Sequence, residues 1–148
     1  MILDNYQRFS DTQVLAATAV STNVLDTSLD RDIGIGEPMA VVVNVIVAAD
    51  VADADETYEF QVQSGSTDTP VTIVARSAFG GVNEPASSVL AAGFKVVIPL
   101  PHGTTVDRYL RVNYVLGGTT PSITVSTFLS PLSMVQANAA YPDGFTIS

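Results

Sequence analysis

The chain has 148 residues, no cysteine and a formal net charge of −9, with 47% hydrophobic and 14% charged residues. That length suits one domain, and folding would bury about 68–70% of the unfolded surface. Without cysteine there is no disulfide, thiolate nucleophile, Fe–S cluster or Cys-ligated zinc. One lysine (Lys95) and five arginines leave no basic footprint to displace counterions from phosphates, which argues against nucleic acid and anionic membranes. So low a charge fits a surface partly covered by a partner.

Residues 1–20 lack a basic segment followed by an unbroken apolar core, so no secretory signal is expected. The most apolar run, residues 39–49, contains Asn44 and is too short to span a bilayer. These features predict a soluble protein made in the cytoplasm.

Taken in order, residues 1–12 mix Tyr6 and Phe9 with Asp4, Arg8 and Asp11 without a period and read as an N-terminal arm. Residues 13–26 are rich in Val, Thr and Ala, which predicts one or two short strands. Residues 30–38 form a loop; Gly34-Ile35-Gly36 has no third glycine and opens no helix, so it reads as turn geometry and not a dinucleotide fingerprint. Residues 39–49 are apolar on both sides, with Val41, Val43, Val45 and Val47 on one face. That pattern marks a central strand whose second face lies against a sheet, a loop or a second subunit.

An acidic turn follows at residues 50–55, and then Tyr58, Phe60 and Val62 alternate with Thr57, Glu59, Gln61 and Gln63, which predicts a hairpin with the preceding strand. Residues 71–76 read as a short strand. Residues 85–92 read as one or two helical turns, with Pro85 at the first helical position and Gly93 at the end. Residues 94–98 form a further strand, closed by Pro99-Leu100-Pro101. In residues 108–129, Leu110, Val112, Tyr114 and Leu116 fall on one side. A Gly117-Gly118-Thr119-Thr120-Pro121 loop follows, and then Ile123, Val125, Thr127 and Leu129 alternate in turn. This is the clearest predicted hairpin.

The tally is about eight strands with at most one short helix. It predicts an all-β fold, a two-sheet antiparallel sandwich of jelly-roll type. Residues 13–131 would form the sandwich, between the arm at 1–12 and a C-terminal arm at 132–148.

No catalytic constellation stands out. His102 is the single histidine and reads as a turn residue beside Pro101 and Gly103. A triad through Asp107 has no Gly-x-Ser-x-Gly elbow, and a cupin-type metal site needs several histidines. Asp50, Asp53, Asp55 and Glu56 cluster and can supply oxygen ligands to calcium, but without EF-hand spacing they read as a solvated hairpin tip. Few aromatics and no tryptophan argue against a glycosidase cleft or a sugar-stacking lectin. No enzyme activity, cofactor or metal is expected. The apolar residues outside regular structure are the candidate partner contacts: Tyr6, Phe9, Met134, Val135, Tyr141, Phe145 and Ile147. They serve either as edge cover for the sandwich or as arms docking onto neighbouring subunits.

Several segments together carry a resemblance: Met1-Ile-Leu-Asp-Asn-Tyr-Gln7, Ser21-Thr-Asn-Val-Leu-Asp26, Gly34-Ile-Gly-Glu-Pro-Met39, Ile98-Pro-Leu-Pro101 and Arg108-Tyr-Leu-Arg-Val-Asn-Tyr114 with Gly117. Over about residues 1–131 the chain resembles the capsid cement (decoration) proteins of short-tailed bacteriophages. That resemblance implies a jelly-roll sandwich, often dimeric, on the outside of an expanded capsid. There it would bridge major capsid subunits and stabilise the shell, with no membrane or nucleic-acid partner. Alternatives are another minor virion protein or a carbohydrate-binding sandwich.

Overall fold

A computed structural model of the protein describes residues 7–28, 31–32, 36–101 and 105–136. The strands are β1 (Arg8–Leu15), β2 (Ala19–Val20), β3 (Leu25–Asp26), β4 (Arg31–Asp32), β5 (Met39–Val47), β6 (Thr57–Gly65), β7 (Thr72–Phe79), β8 (Lys95–Pro99), β9 (Thr105–Val106), β10 (Tyr109–Gly117) and β11 (Ile123–Pro131). The 3₁₀ turn Ser87–Val89 and the short helix α1 (Leu132–Gln136) follow among the described residues.

One antiparallel sheet has the order β1-β11-β5-β8, and the other β2-β10-β6-β7, with β3 also on β10. Both β2 and β3 pair with β10, on the side away from β6, at successive positions: Asn113 and Tyr114 lie opposite Val20 and Ala19, while Tyr109 and Leu110 lie opposite Asp26 and Leu25. They are two halves of one interrupted strand. Counted so, eight strands are shared between two four-stranded layers, with the first strand beside the last. This is jelly-roll order. A separate ribbon pairs β4 with β9.

The alternating runs place their apolar sides between the layers. Tyr58, Phe60, Val62, Leu110, Val112 and Tyr114 are fully buried on one side, facing Val41, Val43, Val45, Ile123 and Val125 on the other. Phe60 meets Tyr114 and Phe79 edge to face, each at 6.1 Å between ring centroids. Burial of such side chains contributes roughly 1.5–3 kcal/mol each. The phenol of Tyr114 crosses the core, donating to Thr127 Oγ1 at 2.8 Å and lying 2.7 Å from Ser10 Oγ. Burial pushes its pKa up to about 12, against the opposing pull of those two hydroxyls. The group therefore remains a neutral donor that ties β10 to β1 and β11.

Both predicted hairpins are corrected by the pairing. β10 bonds to β6 and β11 bonds to β5 and β1, so residues 108–129 form an arch across the sandwich. The same holds for β5 and β6, which lie in different sheets. The five-residue loop spans the gap of about 10 Å between layers instead of joining neighbours. The predicted arm at 1–12 is also corrected over its described part, because Arg8 begins β1. Its period is hidden by two register shifts, between Arg8 and Ser10 and between Ser10 and Gln13, and by a left-handed Thr12 (φ 48°).

Smaller differences follow from local geometry. Residues 39–49 are a central strand, as predicted, but Val47 is exposed beyond a bulge in the β11 pairing. Residues 85–92 yield only the 3₁₀ turn, with Ala86 as its extended N-cap residue, so Pro85 stands before the turn.

A surface ion pair closes the β3–β10 edge. Arg108 donates from Nε (2.7 Å) and from its second guanidinium nitrogen (2.8 Å) to Asp26. That guanidinium, with the Ser28 N–H, holds the Asp26 carboxyl at about 2, below its ordinary 3.8. A depressed carboxylate stabilises the fold above its unfolded pKa and ceases to as pH falls through the folded one. Asp26→Asn is therefore expected to flatten the fall in melting temperature between pH 3.8 and about 2, while leaving the neutral-pH trend unchanged. Thermal melts of both proteins across that window check this.

Candidate docking surface

No group of three or more metal-ligating side chains forms among the described residues. The acidic turn shows why. Its carboxylates turn onto nearby backbone instead of toward a common centre: Asp50 accepts from the Ala52 N–H (3.0 Å), and Glu56 Oε1 from the Asp53 N–H (3.0 Å). Asp55 takes both the N–H and the hydroxyl of Thr119, each at 3.0 Å, and these bonds lower its pKa. The turn thus latches the β10–β11 arch to the end of β5, aided by the Tyr58 hydroxyl, which donates to the Asp50 carbonyl at 2.6 Å.

The outer face of the five-stranded sheet is polar and bonded within itself. Gln61 donates to Glu59 (2.9 Å), Asn113 to Gln61 (3.0 Å) and Arg111 to Gln63 (2.9 Å), while Arg76 pairs with Glu59 at 3.2 Å. Its side chains satisfy one another, so a partner would gain little there beyond exchanging bonds.

Exposed apolar groups lie elsewhere. On the four-stranded sheet, the register sets Val14 and Val47 on either side of Thr124, and they are 74% and 57% exposed. At the other end of β11, α1 presents Met134, 46% exposed, with Val135 half-buried beside it. The Leu132 N–H anchors this helix by donating to the Pro38 carbonyl at 2.7 Å. Val71, Ile73 and Val82 are exposed before, within and after edge strand β7, spread along its length. Singly exposed valines are ordinary, so only the sets sharing one sheet point to a docking face.

Of the seven predicted contact residues, Met134 and Val135 sit at the surface end of the sandwich. Phe9 does not: it is 1% exposed and belongs to the core. Its expected contact role is corrected, because the register shifts of β1 turn its ring between the sheets. Tyr6, Tyr141, Phe145 and Ile147 lie outside the described residues, as does His102. The exposed Val14 and Val47 were not singled out by the sequence, since only the bulge in β5 separates Val47 from its buried neighbours.

Topology sets the start of the sandwich beside its close. Arg8, opening β1, lies opposite Phe128 near the close of β11. The chain thus enters and leaves the sandwich side by side.

One cavity of about 420 Å³ lies at the edge of the sandwich, between the acidic turn, the start of β6 and the residues after β7. The buried Glu56 forms part of its wall, and its Oε2 has no hydrogen-bond partner.

No curated protein matches the chain. A family model described as Bbp16 matches residues 9–129, which run from the second residue of β1 to near the end of β11. The matched stretch is nearly the whole sandwich, and the chain belongs to the Bbp16 family.

Proposed function

We propose that the protein is a non-enzymatic capsid cement protein that binds the outer surface of an expanded phage head, bridges major capsid subunits and stabilises the shell. One observation carries this reading. The chain folds in the jelly-roll order that the cement-protein resemblance implies, over the residues where that resemblance lies. The net charge of −9 suits an exterior position away from packaged DNA.

Such a clamp works by multiplicity. A single interface of about 1,600 Å² gives widely varying affinity, but a homo-oligomer touching several subunits gains effective concentration. The contacts we assign are the exposed apolar residues of the four-stranded sheet, Val14 and Val47, and Met134 and Val135 on α1.

Purified protein is expected to co-sediment saturably with expanded shells, not with unexpanded ones, and to raise the melting temperature of the expanded shell. Absence of both effects overturns the proposal. Met134→Asp is expected to change folding stability by no more than about 0.5 kcal/mol while weakening shell binding about tenfold, the loss of one good anchor of about 1.4 kcal/mol. Titrating labelled protein against shells measures the second effect, and denaturant unfolding the first.

A further inference from the structure

On the outer face of the five-stranded sheet stands an arginine with no acid of its own. Arg8, Arg76 and Arg108 each pair with a carboxylate, at 2.7, 3.2 and 2.7 Å. Arg111 does not: among the described residues its side chain bonds only from Nε to Gln63 Oε1, at 2.9 Å. Its neighbours in β10, Leu110 and Val112, are fully buried, so alternation turns Arg111 outward. The side chain is half-buried, and its two terminal nitrogens are neither bonded nor sealed from solvent.

The bonds behind this guanidinium fix where it points. Gln63, only 7% exposed, accepts from Arg111 and donates from Nε2 to Gln61 Oε1 at 3.4 Å. Gln61 also accepts from Asn113 and donates in turn to Glu59 Oε1 at 2.9 Å. A guanidinium can only donate and a carboxylate can only accept. With one at each end, a single orientation of the two amides makes all the bonds. The row therefore runs one way, from the Arg111 cation on β10 to the Glu59 carboxylate on β6, which Arg76 also holds. Exchanging amide bonds yields a partner little on this face. Arg111 is different, a preset cation without an anion, and a charge-assisted pair is roughly twice as strong as a neutral bond.

Its surroundings suit a protein partner. Tyr109 lies two residues earlier on the same side, with the Arg108 guanidinium 4.9 Å from its ring centre. Across β10, Val20 faces Asn113 and is exposed, and the break between β2 and β3 falls beside Arg111 itself. Asp26, opposite Tyr109, is already taken by Arg108 through both carboxylate oxygens. Arginine and tyrosine beside an apolar side chain is the composition of a binding hot spot. Charge narrows the occupant. A chain of net charge −9 repels polyanions at long range, whereas one carboxylate acts at contact, inside the screening length of about 8 Å. Its planar shape also matches the forked edge of the guanidinium.

We propose that Arg111 seats a single Asp or Glu carboxylate of a partner protein, making this face a second docking surface. It lies on the far side of the sandwich from the exposed valines of the four-stranded sheet, and a clamp that bridges two subunits needs two such surfaces. That the partner is a capsid subunit rests on the function proposed above; the carboxylate site stands on the face alone.

The site is tested by NMR of the full chain titrated with Nα-acetyl-aspartate methylamide at constant ionic strength, with the asparagine counterpart as the uncharged arm. The Arg111 Nε–H and the Gln63 and Asn113 side-chain amides are expected to shift with the first probe only, while Arg76 and Arg108 stay still. Equal shifts at all three arginines, or none at Arg111, would overturn the site. The docking role is tested on expanded shells. Arg111→Gln, which can still bond Gln63, should keep the melting temperature of the protein and weaken shell binding about tenfold. Arg111→Lys, with charge but no fork, should recover part of that loss, and Arg76→Gln should lose nothing. Undiminished binding by Arg111→Gln would overturn the docking role; should that variant not fold, undiminished binding by Arg111→Lys does so. Because the titration uses no capsid, shells that bind no wild-type protein remove the capsid reading alone.

Discussion

Phe60→Ala is expected to destabilise the protein by about 3–5 kcal/mol, the range for emptying an aromatic site in a packed core. Phe60 is fully buried at the centre of β6, and its ring bridges Tyr114 on β10 and Phe79 on β7. Both neighbours are held in place. The Tyr114 phenol is bonded across the core, and Phe79 makes its own edge contact with Phe94 at 6.4 Å. With neighbours so constrained the site collapses poorly, which sets the cost toward the upper end. Urea unfolding with an unchanged slope and a lowered midpoint is the expected readout. A loss under about 1 kcal/mol would show that the aromatic cluster repacks freely.

Gly118→Ala is the second large effect, and its origin is backbone. Gly118 has φ +93°, and an added Cβ would lie 2.5 Å from the Asp55 carbonyl oxygen and 2.6 Å from Glu56 Cα. The conformation alone costs on the order of 1–3 kcal/mol for a residue with a side chain. Relieving the collision also moves Thr119 away from Asp55, whose two bonds fasten the arch. We expect a total of at least about 3 kcal/mol, since strain and lost bonds add at one site. Gly81→Ala is the control. A Cβ there would approach only the Glu84 side chain, at 3.3 Å, and should change stability by less than about 0.5 kcal/mol. Comparable losses at both positions would contradict the account of the arch.

The contrast between what was legible and what was not has a single physical root. Period-two alternation reports which face of a strand is buried, and it did so at Tyr58, Phe60 and Val62 and at Leu110, Val112 and Tyr114. It does not report which strand lies alongside. Two runs joined by a short glycine-rich loop satisfy their apolar faces equally well as hydrogen-bonded neighbours or as opposite walls of a core. In this chain the second arrangement holds for both β5–β6 and β10–β11. The strand count and sandwich class survived because they depend on burial alone. β1 escaped notice for the opposite reason: its register shifts between Arg8 and Ser10 and between Ser10 and Gln13 broke the alternation in a true strand.

For the surface, legibility was thinner. Met134 was visible as an apolar residue beyond the last strand, whereas Phe9, equally apolar and equally outside a clear period, belongs to the interior. The Glu56 cavity left no trace that spacing could reveal. Glu56 reads as one more acid in an acidic turn, and only the approach of Gly80 and Ser87 from a distant part of the chain encloses it.

The placement of β11 between β1 and β5 also governs how the molecule comes into being. On the ribosome, β1 emerges ahead of the other strands, yet the strand it pairs with is β11, made more than a hundred residues later. Until that strand is released, neither β1 nor the facing edge of β5 has this partner. The five-stranded layer lacks such dependence on the final segment, because β6, β7 and β10 are all complete before residue 118. Synthesis thus delivers one layer early and withholds the keystone of the other until the end. Pairing over so long a sequence separation is slow to close, so the nascent chain commits to its native form only once translation of the sandwich is over.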